Sequence, residues 1–181
     1  GDKILSGHAV ALNIASVAFM MPLAIGLASS TRVGNLIGEK RYVEAKYSSY
    51  VGVLLCFIGA IFNMTILLIF RENFAWIYSK DIDVVNVAIS LLLYASIFQI
   101  PDGIQMGSLG ALRGYKDTFA PMIFLIISYW LFAIPFGYFL TNYGFYKPMG
   151  AEGMWISMIL GLIVFSALIF TRLRFVSSRY I

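Results

Sequence analysis

The stretch Val84–Leu109, VVNVAISLLLYASIFQIPDGIQMGSL, decides what kind of protein this is. It exceeds the roughly 20 apolar residues an α-helix needs to cross a bilayer. It contains no Lys or Arg and a single acid, Asp102. Four more runs share its character, at about 8–30, 47–70, 119–141 and 151–171. Backbone facing lipid finds no hydrogen-bond partner there, so such runs must be helices or strands of a closed barrel. Barrel strands are about 10 residues long and alternate in polarity. These runs are twice that length and apolar all round. The expectation is an all-α, polytopic membrane bundle of five transmembrane helices in one membrane domain spanning 1–181.

Composition agrees. Of 181 residues, 60% are hydrophobic and 12% charged, with a mean hydropathy of +0.85. Soluble domains carry about 25% charged residues, so disorder and most water-soluble folds are excluded. The net charge of +4 does not indicate nucleic acid, because the basic residues stand in small groups between apolar runs rather than along a stripe. With loops alternating sides, nine of the 13 fall on one side: Arg32, Lys40, Arg41, Lys46, Arg113, Lys116, Arg172, Arg174 and Arg179. Lys3, Arg71, Lys80 and Lys147 fall on the other. The positive-inside rule then puts the C-terminus in the cytoplasm and the amino end outside, in a cell inner membrane. Trp76, Tyr78, Tyr143, Phe145 and Tyr146 flank the spans as interfacial anchors. Cys56 is the only cysteine, which leaves no intrachain disulfide; it reads as a small core hydrophobe. The chain opens on Gly1-Asp2 rather than a methionine, and an amino end outside calls for another span upstream, so it reads as part of a longer protein.

Asp102 is the residue that does not belong in lipid. A carboxylate at membrane depth costs several kcal/mol, on the order of 2.5–3.5 on insertion scales, unless it faces a bundle interior or a watery cavity. Burial favours a neutral carboxyl and a neighbouring cation favours a charged one, so one residue can hold either a proton or a metal ion. Pro101 precedes it and frees the carbonyl of Ile97. Gly103 follows, and Gly107 completes a small-xxx-small spacing that permits bending or close helix approach. Phe98, Gln99, Gln105 and Met106 lie three or four positions away and flank Asp102 on one helix face. The alternative is a structural aspartate bonded to a neighbouring helix; the cost of burial favours function. Pro22 and Pro135 interrupt other spans and free the carbonyls of Ala18 and Leu131, through either moving or static kinks. Asn13, Ser16 and Met20 share a face of the first span and either line a cavity or pack between helices. His8, near the outer interface, reads as solvated or structural. Gly34–Gly38 and Gly110–Gly114 have GxxxG spacing, which suits helix ending as well as helix pairing.

Enzyme signatures are absent: one histidine only, no HExxH, no GxSxG elbow, no Walker loop. The expectation is a protein that is not an enzyme and needs no cofactor beyond a coupling ion.

Two passages carry a resemblance. The first span ends as Met21-Pro-Leu-Ala-Ile-Gly-Leu-Ala-Ser-Ser-Thr-Arg-Val-Gly-Asn-Leu-Ile-Gly38 and the third as Phe98-Gln-Ile-Pro-Asp-Gly-Ile-Gln-Met-Gly-Ser-Leu-Gly-Ala-Leu-Arg-Gly-Tyr-Lys-Asp117. Both resemble the multidrug and toxic compound extrusion (MATE) transporters, in particular their NorM-like branch. The resemblance implies twelve helices in two six-helix lobes that export organic cations in exchange for sodium or protons. This chain would supply helices eight to twelve, most of the carboxy-terminal lobe. Its partners would be membrane lipid, organic cation substrates, the amino-terminal lobe and the seventh helix, with no nucleic acid. The resemblance also implies that Asp102 is the cation-coupling acid of the tenth helix and a sodium ligand if sodium is the ion. The branch's second acid, a glutamate of the seventh helix, has no counterpart in this sequence. Where some members have a tyrosine four positions before the acid, this chain has Phe98. A lipid-linked substrate flippase of the same superfamily is the alternative, disfavoured by the lack of a mid-span cation. A structural membrane subunit without transport leaves Asp102 unexplained.

Overall fold

The computed structural model describes residues 2–144 and 147–180; Phe145 and Tyr146, two of the expected anchors, lie outside them. Five long helices follow one another: α1 (Asp2–Gly38), α2 (Tyr42–Tyr78), α3 (Ile82–Gly114), α4 (Phe119–Asn142) and α5 (Gly150–Arg179). All five expected spans are present, and four run well past their apolar limits. At 37 residues, α1 measures about 55 Å at 1.5 Å per residue, against an apolar bilayer core of about 30 Å. Hydropathy marks only the part that must avoid water, while helical hydrogen bonding continues beyond it.

The ends of α1 and α3 are built alike. Arg41 N–H donates to Leu36 O at 2.9 Å and Lys40 N–H to Ile37 O at 3.1 Å. Asp117 N–H donates to Leu112 O and Lys116 N–H to Arg113 O, both at 2.9 Å. These are Schellman caps, which favour glycine at the left-handed position. Here lysines occupy it, Lys40 at φ 58° and Lys116 at φ 62°. Gly38 and Gly114 precede them as the last helical residues.

Helix α3 is central, packed on α1, α2 and α5, while α4 packs chiefly on α5. Small residues allow this. A Cβ at Gly103 would lie 2.7 Å from Cys56 O, and one at Gly107 would lie 2.6 Å from Val53 Cα, both on α2. A Cβ at Gly110 would meet Gly26 O of α1. The Pro101–Gly107 region therefore serves close approach between helices. Gly110 and Gly114 likewise pair α3 with α1, whereas Gly34 has ordinary contacts and Gly38 open space.

One buried cluster, around Val33, Leu112, Phe165 and Leu173, sits toward the end where the nine basic residues gather. Another, around Ala11, Leu91, Leu92 and Trp155, fills the other end. The outside remains apolar: Val17, Ile69, Trp130 and Leu131 are all more than 60% exposed. Water would not tolerate so continuous a surface, and lipid requires one.

The fourth span departs from the expected regular α-helix. Residues Ile126–Ala133 form π-helical turns, and Ile134 N–H bonds back to Tyr129 O, five residues away. A regular α-helix would set the Pro135 ring against the carbonyl of Leu131. The π turns ahead of the proline shift that register by one residue. In a uniformly apolar run neither period leaves a trace in the sequence.

Candidate functional site

Asp102 is held on the inner face of α3, 4% exposed, between buried Pro101 and Gly103. Among the described residues no Lys, Arg or His pairs with its carboxylate. Two groups from other helices stand within its electrostatic reach: the Cys56 thiol of α2 and the Tyr129 hydroxyl of α4. The sequence reads Cys56 only as a core hydrophobe, which its burial bears out, and does not single out Tyr129, because nothing in an apolar run shows which side chain will face a residue on another helix. Tyr129 belongs to the π turns and stands edge-on to Phe165 at 6.2 Å between ring centres.

The flanking residues divide. Gln99 is 1% exposed, and its Oε1 has no hydrogen-bond partner. A buried, unbonded amide oxygen costs about 1–3 kcal/mol, and three positions from Asp102 it shares that helix face. These two side chains are buried oxygen donors of this face that could hold a hard cation such as sodium. Met106 is buried, with its backbone against Gly26, and Gln105 Nε2 reaches its sulfur at 3.9 Å. Phe98 stands edge-on to Trp155 at 6.4 Å. Trp155 in turn donates from Nε1 to His8 Nδ1 at 3.1 Å, which makes His8 a structural acceptor.

Asn13 and Met20 are exposed on α1 and are not buried with Asp102. Asn13 Nδ2 donates to its own helix at Ala9 O, and Ser16 Oγ to Leu12 O. Ser16 is exposed as well.

Pro22 does free the carbonyl of Ala18, and α2 takes it up: Asn63 Nδ2 donates to Ala18 O at 2.7 Å. Cys56 Sγ donates to Pro22 O at 3.6 Å. The interruption is cross-braced, not left open. Near Pro135, Ser157 of α5 donates to Ala133 O. Among the described residues no three His, Cys, Asp or Glu side chains cluster.

At the end holding His8, Asp81 caps α3 by accepting from Asp83 N–H at 2.9 Å. That bond, aided by the Lys3 charge, holds its carboxyl below the ordinary aspartate range. Lys3 reaches Asp81 at 3.5 Å and Asp83 at 2.5 Å, tying the start of α1 to the start of α3.

Known proteins share this architecture. The MatE family model matches residues 1–139. The multidrug resistance protein NorM of Vibrio vulnificus is 41% identical over 176 residues, covering 96% of this chain and 38% of its own length. The multidrug resistance protein MdtK of Photorhabdus laumondii is 34% identical over 180 residues, 99% of this chain and 39% of its own. This chain thus spans about two-fifths of the curated relatives it matches. Among solved structures, an outward-facing MATE family multidrug resistance transporter superposes with a TM-score of 0.89 at 17% identity, over 99% of this chain and 40% of its own. The eukaryotic MATE transporter AtDTX14 gives 0.86 at 24% identity, over 99% and 42%. At such identities the structural likeness speaks to the fold.

Proposed function

The chain belongs to the MatE family, and from that premise we propose that it is the larger part of one lobe of a multidrug exporter. The remaining helices, including an amino-terminal lobe and a seventh helix bearing a second acid, complete the transporter. It lies in the inner membrane with its C-terminus in the cytoplasm. It exports lipophilic organic cations by alternating access, in exchange for sodium or protons, and carries out no covalent chemistry.

One observation carries the reading: Asp102 is buried in a membrane-spanning helix without a counter-charge among the described residues. Such a carboxylate is most stable when it holds a proton or a metal cation. Binding either changes the charge beside Pro101 and Gly103, where α3 lacks one helical bond and lies hard against α2. An ion with different affinity for two arrangements of that contact shifts the balance between them, and only by that difference. The export step follows if the drug prefers the opposite arrangement.

The test is ion-driven efflux of a fluorescent cationic dye from cells or vesicles containing the intact transporter with Asp102→Asn. Efflux should lose its dependence on the sodium or proton gradient. Unchanged gradient-driven efflux would remove Asp102 from the mechanism.

A further inference from the structure

We propose that the groove between α4 and α5 is a binding site for an anionic phospholipid. The groove has a volume of about 600 Å³ and is walled by Phe124 of α4 and by Ile163, Ala167, Thr171, Arg172 and Phe175 of α5. Ile163 and Phe175 are about half exposed, so the groove opens outward. The α5 residues recur at helical spacing along one face. From Ile163 to Phe175 that face runs about 18 Å at 1.5 Å per residue. One leaflet of a roughly 30 Å apolar core is about 15 Å deep, so the groove matches an acyl chain lying along the helix.

Its two ends differ in chemistry. The inner end is hydrocarbon. At the end near the bilayer surface, the Arg172 guanidinium carbon lies 5.7 Å from the centre of the Phe175 ring and that of Arg179 lies 4.2 Å from it. Arg172 Nε donates to Asp117 Oδ2 at 2.6 Å. Arg179 has no carboxylate partner among the described residues. Two cations thus flank one ring with a single carboxylate between them, which leaves one positive charge at the groove's mouth. A zwitterionic headgroup brings no net charge to meet it, whereas a phosphatidylglycerol phosphate does. This end also carries the nine basic residues, and basic pockets between helices on the cytoplasmic side recognise anionic headgroups. The proposal needs only that the helices span a membrane and is independent of the export reading.

The intact transporter, purified from mixtures of phosphatidylglycerol and phosphatidylcholine, is examined by native mass spectrometry. The wild type should retain phosphatidylglycerol preferentially. Arg179→Gln leaves the Arg172–Asp117 pair in place and should lower the phosphatidylglycerol-to-phosphatidylcholine ratio by about fivefold, the weight of one basic residue at such a surface. Ala167→Trp fills the groove and should reduce retention of both lipids. Equal retention of the two lipids by the wild type, or an unchanged ratio in Arg179→Gln, overturns the proposal. So does an Ala167→Trp protein that is destabilised while its lipid retention stays the same, because the groove would then be covered by protein.

Discussion

Replacing Gly110 by alanine tests a close backbone approach between α1 and α3. A Cβ built there lies 2.2 Å from Gly26 O and 2.8 Å from Gly26 C, whereas ordinary contact begins at 3.4 Å. The obstacle is backbone, so no rotamer change relieves it, and α1 and α3 must separate by more than an ångström. That separation would also loosen the contact below it, where Gly114 faces Val33 and Ser30 O of α1. Overpacking of this kind costs about 1–3 kcal/mol, and a backbone obstacle puts Gly110 at the upper end. The alanine's better helix propensity returns at most about 1 kcal/mol. Gly34→Ala is the matched control, since its nearest neighbour stands at an ordinary 3.8 Å. It gains the propensity term without the clash and should be stabilised by up to about 1 kcal/mol. Thermal unfolding of the two variants of the intact protein in detergent, followed by loss of the monodisperse species, should therefore move in opposite directions. Shifts of the same sign and size would refute the argument that backbone approach at Gly110 sets the α1–α3 distance.

Two further outcomes follow from hydrogen bonds. Asn63→Ala should destabilise by about 1 kcal/mol, because it removes the bond to the part-buried Ala18 carbonyl. In a Pro22→Ala background that carbonyl regains its helical donor, so the same Asn63 change should cost less; thermal unfolding of the four proteins of a double-mutant cycle measures the difference. Asp81 gives a pH dependence. Its folded-state value is lowered, chiefly by the Asp83 N–H and also by Lys3. Its contribution is therefore complete above the ordinary aspartate range and is lost as pH falls through the lower folded value. Asp81→Asn keeps a capping oxygen but cannot titrate, so its melting temperature should change less with acid than that of the wild type.

Much of the candidate site could be read in the chain. Asp102 stands out because it is the one acid deep within the five apolar runs, Glu152 standing at the very edge of the last, and it is buried in α3. Gln99 and Met106 follow from helical spacing and Pro101 from standing next to Asp102 in sequence, and all three are buried in α3. The nearness of Cys56 and Tyr129 to Asp102 could not be read, since each belongs to a different helix. Asn13 and Met20 share one face of α1, and that face is exposed among these five helices; spacing alone cannot tell an inner face from an outer one when both are apolar. The groove beside Arg179 was likewise invisible, because Phe124 and Phe175 are far apart in sequence.

Composition and hydropathy by themselves determined that the chain is helical, that it crosses a membrane five times and which helix ends share a side. Lipid forces those outcomes: it offers no backbone partners, demands about 20 apolar residues per crossing and sorts charge to the ends. Only the tertiary structure decided that α3 sits at the centre, that Gly103 and Gly110 serve contact with two different helices and that Asn63 braces the carbonyl freed by Pro22. It alone also put π turns before Pro135. In lipid every face of an apolar helix satisfies the solvent equally well, so hydropathy cannot choose between them. Steric fit and the pairing of a few polar atoms make that choice.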